Sequence, residues 1–308
     1  MLCLDLTSYF HLKTSYIFFK LFKLLSFYLE QFVALKTFLT AQNNIYDSGQ
    51  FVMVGTIFKY NSIQIYSVMK YKKIGDILVL NDDSDNLEEL ARKHNVKTIM
   101  KINHIQGTRR EPVYEVLYGS ETETVNKENK CLFKLDLSKV MWSKGNTNER
   151  LRIAKLVEDD ETVLDMFAGI GYFSIPVAVH SNARKVISIE INPNSYHYLC
   201  ENIRLNRCDN VTPVLGDCLV ETPNYKADRI LMGYVKTTHH YLKVAVNSLN
   251  KGGIIHYHET VPEKLIETRP ISRIRDAAGD RDVELLKINK IKKYAPGVEH
   301  VVIDALID

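Results

Sequence analysis

The feature that most constrains the fold is a regular alternation of apolar, strand-like runs with helical runs after residue 162. The predicted strands are 163–166, 185–190, 211–215, 229–232 and 254–258, and the predicted helices are 174–179, 193–206 and 239–249. This alternation favours an α/β fold with a doubly wound parallel sheet and helices on both faces. Two further strands, 284–291 and 300–306, flank a turn at 295–297 and predict a C-terminal antiparallel hairpin that closes the sheet edge.

A small α+β domain is predicted before this sheet, over residues 69–145. Its expected elements are strands at 74–80, 96–102, 114–118 and 131–137, a helix at 85–94 capped by Asp85, and a polar loop at 121–129. The segment 143–149 contains a glycine and two asparagines and is predicted to be the hinge into a second domain, 146–308.

Residues 1–68 are aromatic and irregular, unlike the rest of the chain. The apolar stretch 16–39 is interrupted by Lys20, Lys23, Glu30 and Lys36, so it offers no uncharged run of the roughly 20 residues that a membrane span needs. Export or membrane insertion is therefore disfavoured. A surface amphipathic helix stays open, but the preferred interpretation is an atypical extension or gene-start artefact, with Met69 opening the first true domain.

Composition excludes few functions. The 40 Lys and Arg residues against 37 Asp and Glu residues give a net charge of only +3, so contact with a nucleic acid would need local clusters of cations. The five cysteines are scattered and contain no CxxC pair (Cys3, Cys131, Cys200, Cys208 and Cys218). That pattern argues against a disulfide framework and a zinc ribbon, and it favours a reducing, cytoplasmic location.

The strongest local signal is a strand that runs into a Gly-x-Gly turn and then a helix, at residues 163–174. Gly169 and Gly171 let the backbone turn sharply and approach a ligand, and the helix start offers unpaired N–H groups. Ser174 stands where a dinucleotide fingerprint has its third glycine. Alone, such a turn is often merely structural.

Two carboxylates at later strand ends strengthen this interpretation. Glu190 ends the second strand, where it could accept hydrogen bonds from both ribose hydroxyls, and Asp217 follows the third strand beside Cys218. With Asp165 before the glycines, the set favours a nucleoside that carries a charged amino-acid tail. The turn resembles the first motif of class I S-adenosylmethionine-dependent transferases, which have a Rossmann-like fold and would make S-adenosylmethionine the cofactor.

The ends of the fourth and fifth strands should carry the chemistry. Many base-modifying methyltransferases have an Asn-Pro-Pro-Tyr or Asn-Leu-Pro sequence at the fourth strand, whereas this chain has Met-Gly-Tyr-Val at 232–235. The asparagine that orients an amine nucleophile is thus missing, and ordinary amine methylation is disfavoured. A sulfonium has three electrophilic carbons, and the residues alone leave open which one reacts.

From about Met69 onward, long motifs resemble the archaeal wybutosine-pathway tRNA aminocarboxypropyltransferases, relatives of the tRNA guanine-37 N1-methyltransferases. The motifs are Lys-Lys-Ile-Gly-Asp (72–76), Met-Trp-Ser-x-Gly-Asn (141–146), Asp-Met-Phe-Ala-Gly-Ile-Gly-Tyr-Phe (165–173), Tyr-His-Tyr-Leu-Cys-Glu-Asn (196–202), Met-Gly-Tyr-Val (232–235), His-Tyr-His-Glu-Thr (256–260) and Ile-Lys-Lys-Tyr-Ala-Pro-Gly-Val (291–298). This resemblance implies transfer of the 3-amino-3-carboxypropyl arm of S-adenosylmethionine to carbon 7 of 4-demethylwyosine in tRNA(Phe), with release of methylthioadenosine.

The resemblance also implies the cofactor contacts, which fall on Ser143, Arg150, Glu190, Asp217 and Cys218. An arginine at this position could grip the methionine carboxylate bidentately and so help to decide which carbon faces the base. Without the resemblance, a solvated helix cation would be a serious alternative for Arg150.

His256 and His258 lie two residues apart on a strand and therefore share one face, with Tyr257 on the other. Either histidine could accept the proton that a ring carbon loses, although a purely hydrogen-bonding role is equally compatible with the sequence. Tyr234 could stack on the tricyclic base or pack against Tyr172. No third metal ligand accompanies the histidines, so no metal is expected.

Three cation clusters are candidates for binding the tRNA anticodon loop: 70–73, Arg109-Arg110 and 290–294. We expect them to line one face, on a protein that is preferably a monomer and binds neither membrane nor metal. Two rival functions stay open, namely methyl transfer to guanine 37 and a non-catalytic RNA-binding module.

Overall fold

The computed structural model describes residues 71–308 apart from 82, 83, 85 and 236. The predictions for residues 1–68, Met69 and Lys70 lie outside the described residues, as does Asp85 itself. The helix that Asp85 was expected to cap has Asn86 as its N-cap, so that prediction is wrong. The strands are β1 (Tyr71–Ile74), β2 (Ile77–Leu80), β3 (Thr98–Gln106), β4 (Glu111–Tyr118), β5 (Glu123–Glu128), β6 (Cys131–Asp136), β7 (Thr162–Asp165), β8 (Lys185–Glu190), β9 (Val211–Leu215), β10 (Ala227–Met232), β11 (Leu249–Pro262), β12 (Val283–Ala295) and β13 (Val298–Ile307).

The α-helices of the described residues are α1 (Leu87–His94), α2 (Thr147–Leu156), α3 (Ser174–His180), α4 (Pro193–Asn206), α5 (Cys218–Glu221), α6 (Leu242–Ser248) and α7 (Arg269–Ala278). None of these helices is long and apolar enough to cross a membrane.

A seven-stranded sheet confirms the predicted doubly wound α/β fold. Its strand order is β12-β13-β11-β10-β7-β8-β9. Strands β11, β10, β7, β8 and β9 run parallel, and β13 is antiparallel to both β11 and β12. The predicted C-terminal hairpin therefore closes one edge of the sheet, so that residues of β12 and β13 reach the same end of the molecule as the parallel strand ends.

Both faces of the parallel strands are buried, as continuous apolar runs predict. Val163 and Val186 belong to one hydrophobic core, which also contains residues of α2, α3 and α4. The next residue on each strand, Leu164 or Ile187, belongs to a second core with α6 and α7. These two helical layers fix the strands, so their carboxyl ends form a rigid rim.

The smaller sheets come earlier in the chain. Strands β1-β2-β3-β4 form a four-stranded sheet with α1 packed on it, and β5 pairs with β6. Phe133 and Leu135 of β6 share the core of the large sheet with Trp142 and Val163. Because this core is continuous across residue 145, the division into domains at 69–145 and 146–308 stays a prediction.

The predicted strand 74–80 is wrong, because the chain turns in its middle. Gly75 has a φ of +56° and separates β1 from β2, which pair antiparallel. The apolar run hides this turn, since Ile74 and Ile77 are both buried on either side of it. Only glycine adopts such a backbone conformation without steric cost.

Three other predicted boundaries are also corrected. The loop 121–129 contains β5, and the hinge 143–149 is a short 3₁₀ turn followed by the start of α2. The helix 239–249 is shorter, because residues 238–241 form a 3₁₀ turn and Leu249 begins β11. Helix α7 was missed, although Pro270, Ile274, Ala277 and Ala278 follow helical spacing and are buried.

Candidate functional site

A cavity of about 540 Å³ opens at the carboxyl ends of β7, β8, β9 and β10. This is the position at which open α/β sheets bind ligands. Seven of the predicted site residues line it, namely Ser143, Arg150, Gly169, Glu190, Asp217, Cys218 and Tyr234. The other four, Asp165, Gly171, His256 and His258, lie behind its wall.

Asp165 holds the glycine turn from within the core. Its side chain is fully buried, Oδ2 accepts a hydrogen bond of 2.8 Å from Ser174 Oγ, and Oδ1 accepts one of 3.3 Å from the Phe167 N–H. Burial raises the pKa of Asp165 to about 6. The predicted cofactor residue therefore supports the turn and does not face the cavity.

The two glycines of the turn have different roles. Gly169 lines the cavity with φ +58°, and its N–H donates a 2.7 Å hydrogen bond to Glu190 Oε2. Gly171 has φ +95°, and a Cβ there would lie 2.6 Å from Ile175 Cγ1. Gly171 thus permits close packing of α3, whereas Gly169 exposes backbone to the cavity.

Glu190 and Asp217 bring two carboxylates to adjacent strand ends, as predicted. Glu190 Oε1 accepts a 2.7 Å hydrogen bond from the Asn192 N–H, and burial raises its pKa. Asp217 Oδ1 accepts from the Leu219 N–H at 2.9 Å and so caps α5. With their orientation fixed by backbone donors, both carboxylates can accept hydrogen bonds from hydroxyl or amino groups.

Cys218 sits beside these carboxylates as a buried free thiol. Burial raises its pKa to about 12, so the thiol stays protonated at neutral pH and contributes an apolar surface. Cys131, Cys200 and Cys208 are also free.

Arg150 forms the opposite wall. Its Nη1 donates a 2.7 Å hydrogen bond to Glu128 Oε1, and Nη2 donates one of 2.5 Å to the Ser143 carbonyl. The guanidinium carbon lies 5.1 Å from the ring centre of Trp142 and 4.5 Å from that of Tyr172. Each terminal nitrogen keeps a second N–H and Nε has no partner among the described residues, so the guanidinium retains donors for a further acceptor.

Near Arg150, three buried polar atoms have no hydrogen-bond partner within the described part of the chain. They are the donors Arg150 Nε and Trp142 Nε1 and the acceptor Asn146 Oδ1. Arg150 and Asn146 line the cavity, but these atoms themselves are covered by protein, so a ligand would reach them only after the wall shifts.

Tyr234 lines the cavity after β10 and stacks on Phe167, with ring centres 5.3 Å apart and planes at 22°. The alternative expectation, that Tyr234 packs against Tyr172, is wrong, because Tyr172 packs against Trp142 and Phe133. Stacking of Tyr234 on a substrate base stays a prediction.

The structure places His256 in a buried network of charges. Its Nδ1 lies 2.6 Å from Asp304 Oδ1 and its Nε2 lies 2.9 Å from Arg229 Nη1, while Arg229 also pairs with Glu161. His256 is 1% exposed and does not line the cavity. Contrary to expectation, His256 is therefore not placed to contact a substrate directly. Its partners are those of a buried residue that stabilises the fold.

His258 is also 1% exposed and lies behind the cavity wall. Its Nδ1 is 3.1 Å from Nε2 of His300, which does line the cavity. His300 was missed by sequence reasoning because its proximity to His258 depends on the register of β11 against β13, where His300 faces Thr260.

Lys292 was predicted only as part of a surface cluster, and its side chain is exposed, but it also lines the cavity. Partial burial lowers its pKa, and the nearby charges of Lys72, Arg150 and Arg110 lower it further. Lys72, Arg110 and Lys292, one from each of the three predicted cation clusters, therefore lie close together at this end of the cavity.

Within residues 71–308 as described, no group of three or more His, Cys, Asp or Glu side chains has the arrangement of a metal site.

The chain is similar to known tRNA-modifying enzymes. The model for the TRM5/TYW2 methyltransferase domain matches residues 124–286. The tRNA(Phe) (4-demethylwyosine(37)-C(7)) aminocarboxypropyltransferase of Methanocaldococcus jannaschii is 48% identical over 242 residues, which cover 77% of this chain and 97% of that protein. The enzyme of the same name from Pyrococcus horikoshii is 43% identical, covering 76% of this chain and 88% of that protein.

A solved structure agrees with this match. The crystal structure of M. jannaschii TYW2 in complex with AdoMet has a TM-score of 0.65 and 45% identity, covering 78% of this chain and 99% of that chain. The resemblance inferred from the motifs is thereby confirmed. Since the domain model spans more than half of the sequence and the relatives match over most of their length, the chain belongs to the TRM5/TYW2 methyltransferase-domain family.

Proposed function

We propose that this protein transfers the 3-amino-3-carboxypropyl group of S-adenosylmethionine to carbon 7 of 4-demethylwyosine at position 37 of tRNA(Phe). The observation that carries the proposal is the 48% identity to the M. jannaschii enzyme of that name over 97% of its length. The relative tRNA (guanine(37)-N(1))-methyltransferase Trm5b of Pyrococcus abyssi is 39% identical over 64% of its length, which gives less support to methyl transfer.

The cavity has the chemistry that S-adenosylmethionine requires. Its volume of about 540 Å³ is in the range of small-ligand pockets. Glu190 and Asp217 supply acceptors for the ribose hydroxyls and the adenine amino group. At the other end, the Arg150 guanidinium supplies positive charge for the methionine carboxylate, and Asn146 supplies an amide for the ammonium group. A cation and an amide on the same wall suit the charged tail of this molecule.

The bound sulfonium supplies three electrophilic carbons, and the protein decides which one faces the base. Holding the carboxylate and ammonium groups at Arg150 and Asn146 fixes the γ-carbon of the arm in the cavity. The loop after β10 has Gly233 packed on Phe173 and offers no asparagine side chain to orient an amine. These features favour attack by a ring carbon on the γ-carbon.

The reaction balances without a further reactant. A bond forms between carbon 7 and the γ-carbon, the bond from the γ-carbon to sulfur breaks, and its electron pair stays on sulfur. Carbon 7 then loses its proton, and the ring recovers its aromaticity.

We assign tRNA contact to the cavity end that carries Lys72, Arg110 and Lys292, with the anticodon loop as the bound region. Close cations favour phosphate binding, and the half-exposed ring of Tyr294 on the cavity rim offers a stacking surface for an unpaired base. We propose that the protein acts as a monomer in the cytoplasm, the location that the free thiols of the described residues favour.

Mass spectrometry of position 37 tests the function. The purified protein is incubated with S-adenosylmethionine and tRNA(Phe) that carries 4-demethylwyosine, with unmodified tRNA(Phe) in parallel. We expect one added aminocarboxypropyl group on the modified tRNA and release of methylthioadenosine. A single methyl group on the unmodified guanine would show the rival methyltransferase, and no change in either tRNA would favour a non-catalytic RNA-binding module.

A further inference from the structure

A pair of buried imidazoles connects the interior of the sheet to the cavity. His300 on β13 is 2% exposed and lines the cavity, and His258 on β11 lies behind it with 3.1 Å between His258 Nδ1 and His300 Nε2. The ring of Phe173 meets His258 edge to face at 5.5 Å. Both imidazoles are therefore held in place, and one ring nitrogen of His300, Nδ1, is not engaged by His258.

We propose that His300 is the catalytic residue that accepts the proton from carbon 7, and that His258 is the positioning residue that orients the His300 ring. This inference rests on the proposed function and adds the base that the transfer requires. It reassigns the proton-accepting role from the two histidines predicted on β11 to their neighbour on β13.

The charge state of the pair suits this role. Burial and the nearby charge of Lys292 together lower the pKa of His300 to about 4, and burial holds the pKa of His258 well below its usual value. Both rings are consequently neutral at pH 7, so His300 has a lone pair available. A weak base suffices, because carbon 7 becomes strongly acidic once it carries the new bond and the ring carries a positive charge.

The carboxylates of the cavity lie several strands away from His300. Glu190 ends β8, four strands from β13 in the sheet order, so the two strand axes are roughly 19 Å apart at a spacing of about 4.8 Å, and both Glu190 oxygens already accept backbone N–H groups. Asp217 follows β9, one strand further away. The cation Lys292 has no lone pair when protonated, and among the described residues that line the cavity His300 is the single imidazole.

The proton transfer is balanced. After carbon 7 attacks the γ-carbon and sulfur leaves with the electron pair, the electrons of the C7–H bond return to the ring. The proton passes to Nδ1 of His300, which becomes an imidazolium while its Nε2 stays in contact with His258. The imidazolium then releases the proton to solvent, which restores the neutral pair.

The test compares His300→Gln with wild type on modified tRNA, using substrate with hydrogen or deuterium at carbon 7. We expect kcat to fall on the order of 100-fold, with little change in affinity for S-adenosylmethionine. If carbon–carbon bond formation limits the wild-type rate, a primary isotope effect should appear only in the variant, and added imidazole should restore part of its rate. His258→Gln should lower kcat less.

His197→Gln is the matched control, because His197 is exposed on α4 and lies outside the cavity lining. Circular dichroism and calorimetric binding of S-adenosylmethionine report whether each variant folds. The inference is overturned if His300→Gln transfers at the wild-type rate, or if it loses rate with neither an isotope effect nor rescue by imidazole. If wild type itself adds no aminocarboxypropyl group, the proposed function fails and the inference fails with it.

Discussion

At the scale of single residues, Glu190 is the most constrained carboxylate of the cavity. Its two oxygens accept backbone hydrogen bonds from Gly169 and Asn192, each at 2.7 Å. These donors hold the side chain in one orientation and leave further lone pairs directed to the cavity. The side chain therefore joins the glycine turn to the proposed ribose site.

Replacing Glu190 with Gln should weaken binding of S-adenosylmethionine by about tenfold to a hundredfold, or about 1.5–3 kcal/mol. An amide has one acceptor oxygen, so one backbone N–H would face an NH₂ group. Isothermal titration calorimetry measures the effect, with Glu158→Gln as the control because Glu158 is exposed and outside the cavity. Equal affinities of the two variants would refute the assignment of Glu190.

Gly171→Ala should destabilise the fold more than Gly252→Ala. Both residues have positive φ, +95° and +71°, but a Cβ at Gly171 would lie 2.6 Å from Ile175 Cγ1, whereas a Cβ at Gly252 would meet nothing within 4 Å. At Gly252, backbone strain alone should lower the free energy of unfolding by about 1 kcal/mol. At Gly171, crowding against Ile175 should lower it by about 1–3 kcal/mol more. Urea unfolding measures both, and equal losses would contradict the packing role.

At the scale of elements, the C-terminal hairpin completes the cavity. Strand β12 brings Lys292 and β13 brings His300 to a site whose other walls come from the glycine turn and the loop after β10. The two residues face each other in the antiparallel register. The hairpin thus contributes both a cation and an imidazole.

Lys292→Gln should weaken tRNA binding and lower the slope of log affinity against log salt concentration by about one, because one phosphate contact is lost. Filter binding over a salt series gives both quantities. Lys185→Gln is the control, since Lys185 is exposed at the start of β8, at the opposite end of the sheet from the cavity. An unchanged slope for Lys292→Gln would argue against phosphate contact there.

The same hairpin should make stability sensitive to acid. The pKa of His300 is about 4 in the folded chain against a usual value of 6.5, so the unfolded chain binds the proton more tightly. The contribution of His300 to the free energy of unfolding is therefore fully present above about pH 6.5. It is lost as the pH drops toward 4, and the loss reaches about 2 kcal/mol at pH 5. His300→Gln should lose less stability than wild type between pH 7 and pH 5 in urea unfolding; identical losses would contradict the shifted pKa.

Sequence patterns predicted those parts of the site that depend on one strand and its following turn. Glu190, Asp217 and Gly169 were found because polar residues after apolar runs mark strand ends. His300 escaped because its place depends on pairing between β11 and β13, whose register no local pattern encodes. Strand β5 escaped because its alternating, charged sequence resembles a loop.

At the scale of the whole molecule, the two hydrophobic cores of the large sheet explain why the fold was predictable. Strand runs that are apolar on both faces can be buried only between two helical layers, and the alternation of elements then determines a parallel sheet. The order of the strands and the continuity of one core with β6 depend on tertiary packing, so the sequence pattern alone did not reveal them.

The central claim is that the arm of S-adenosylmethionine is transferred and its methyl group is not. The most direct test incubates the protein and tRNA(Phe) that carries 4-demethylwyosine with two batches of S-adenosylmethionine, one radiolabelled in the carboxyl group and one in the methyl group. The account predicts that the carboxyl label enters the tRNA and the methyl label leaves in methylthioadenosine. Methyl label in the tRNA, with the carboxyl label retained in S-adenosylhomocysteine, would contradict it.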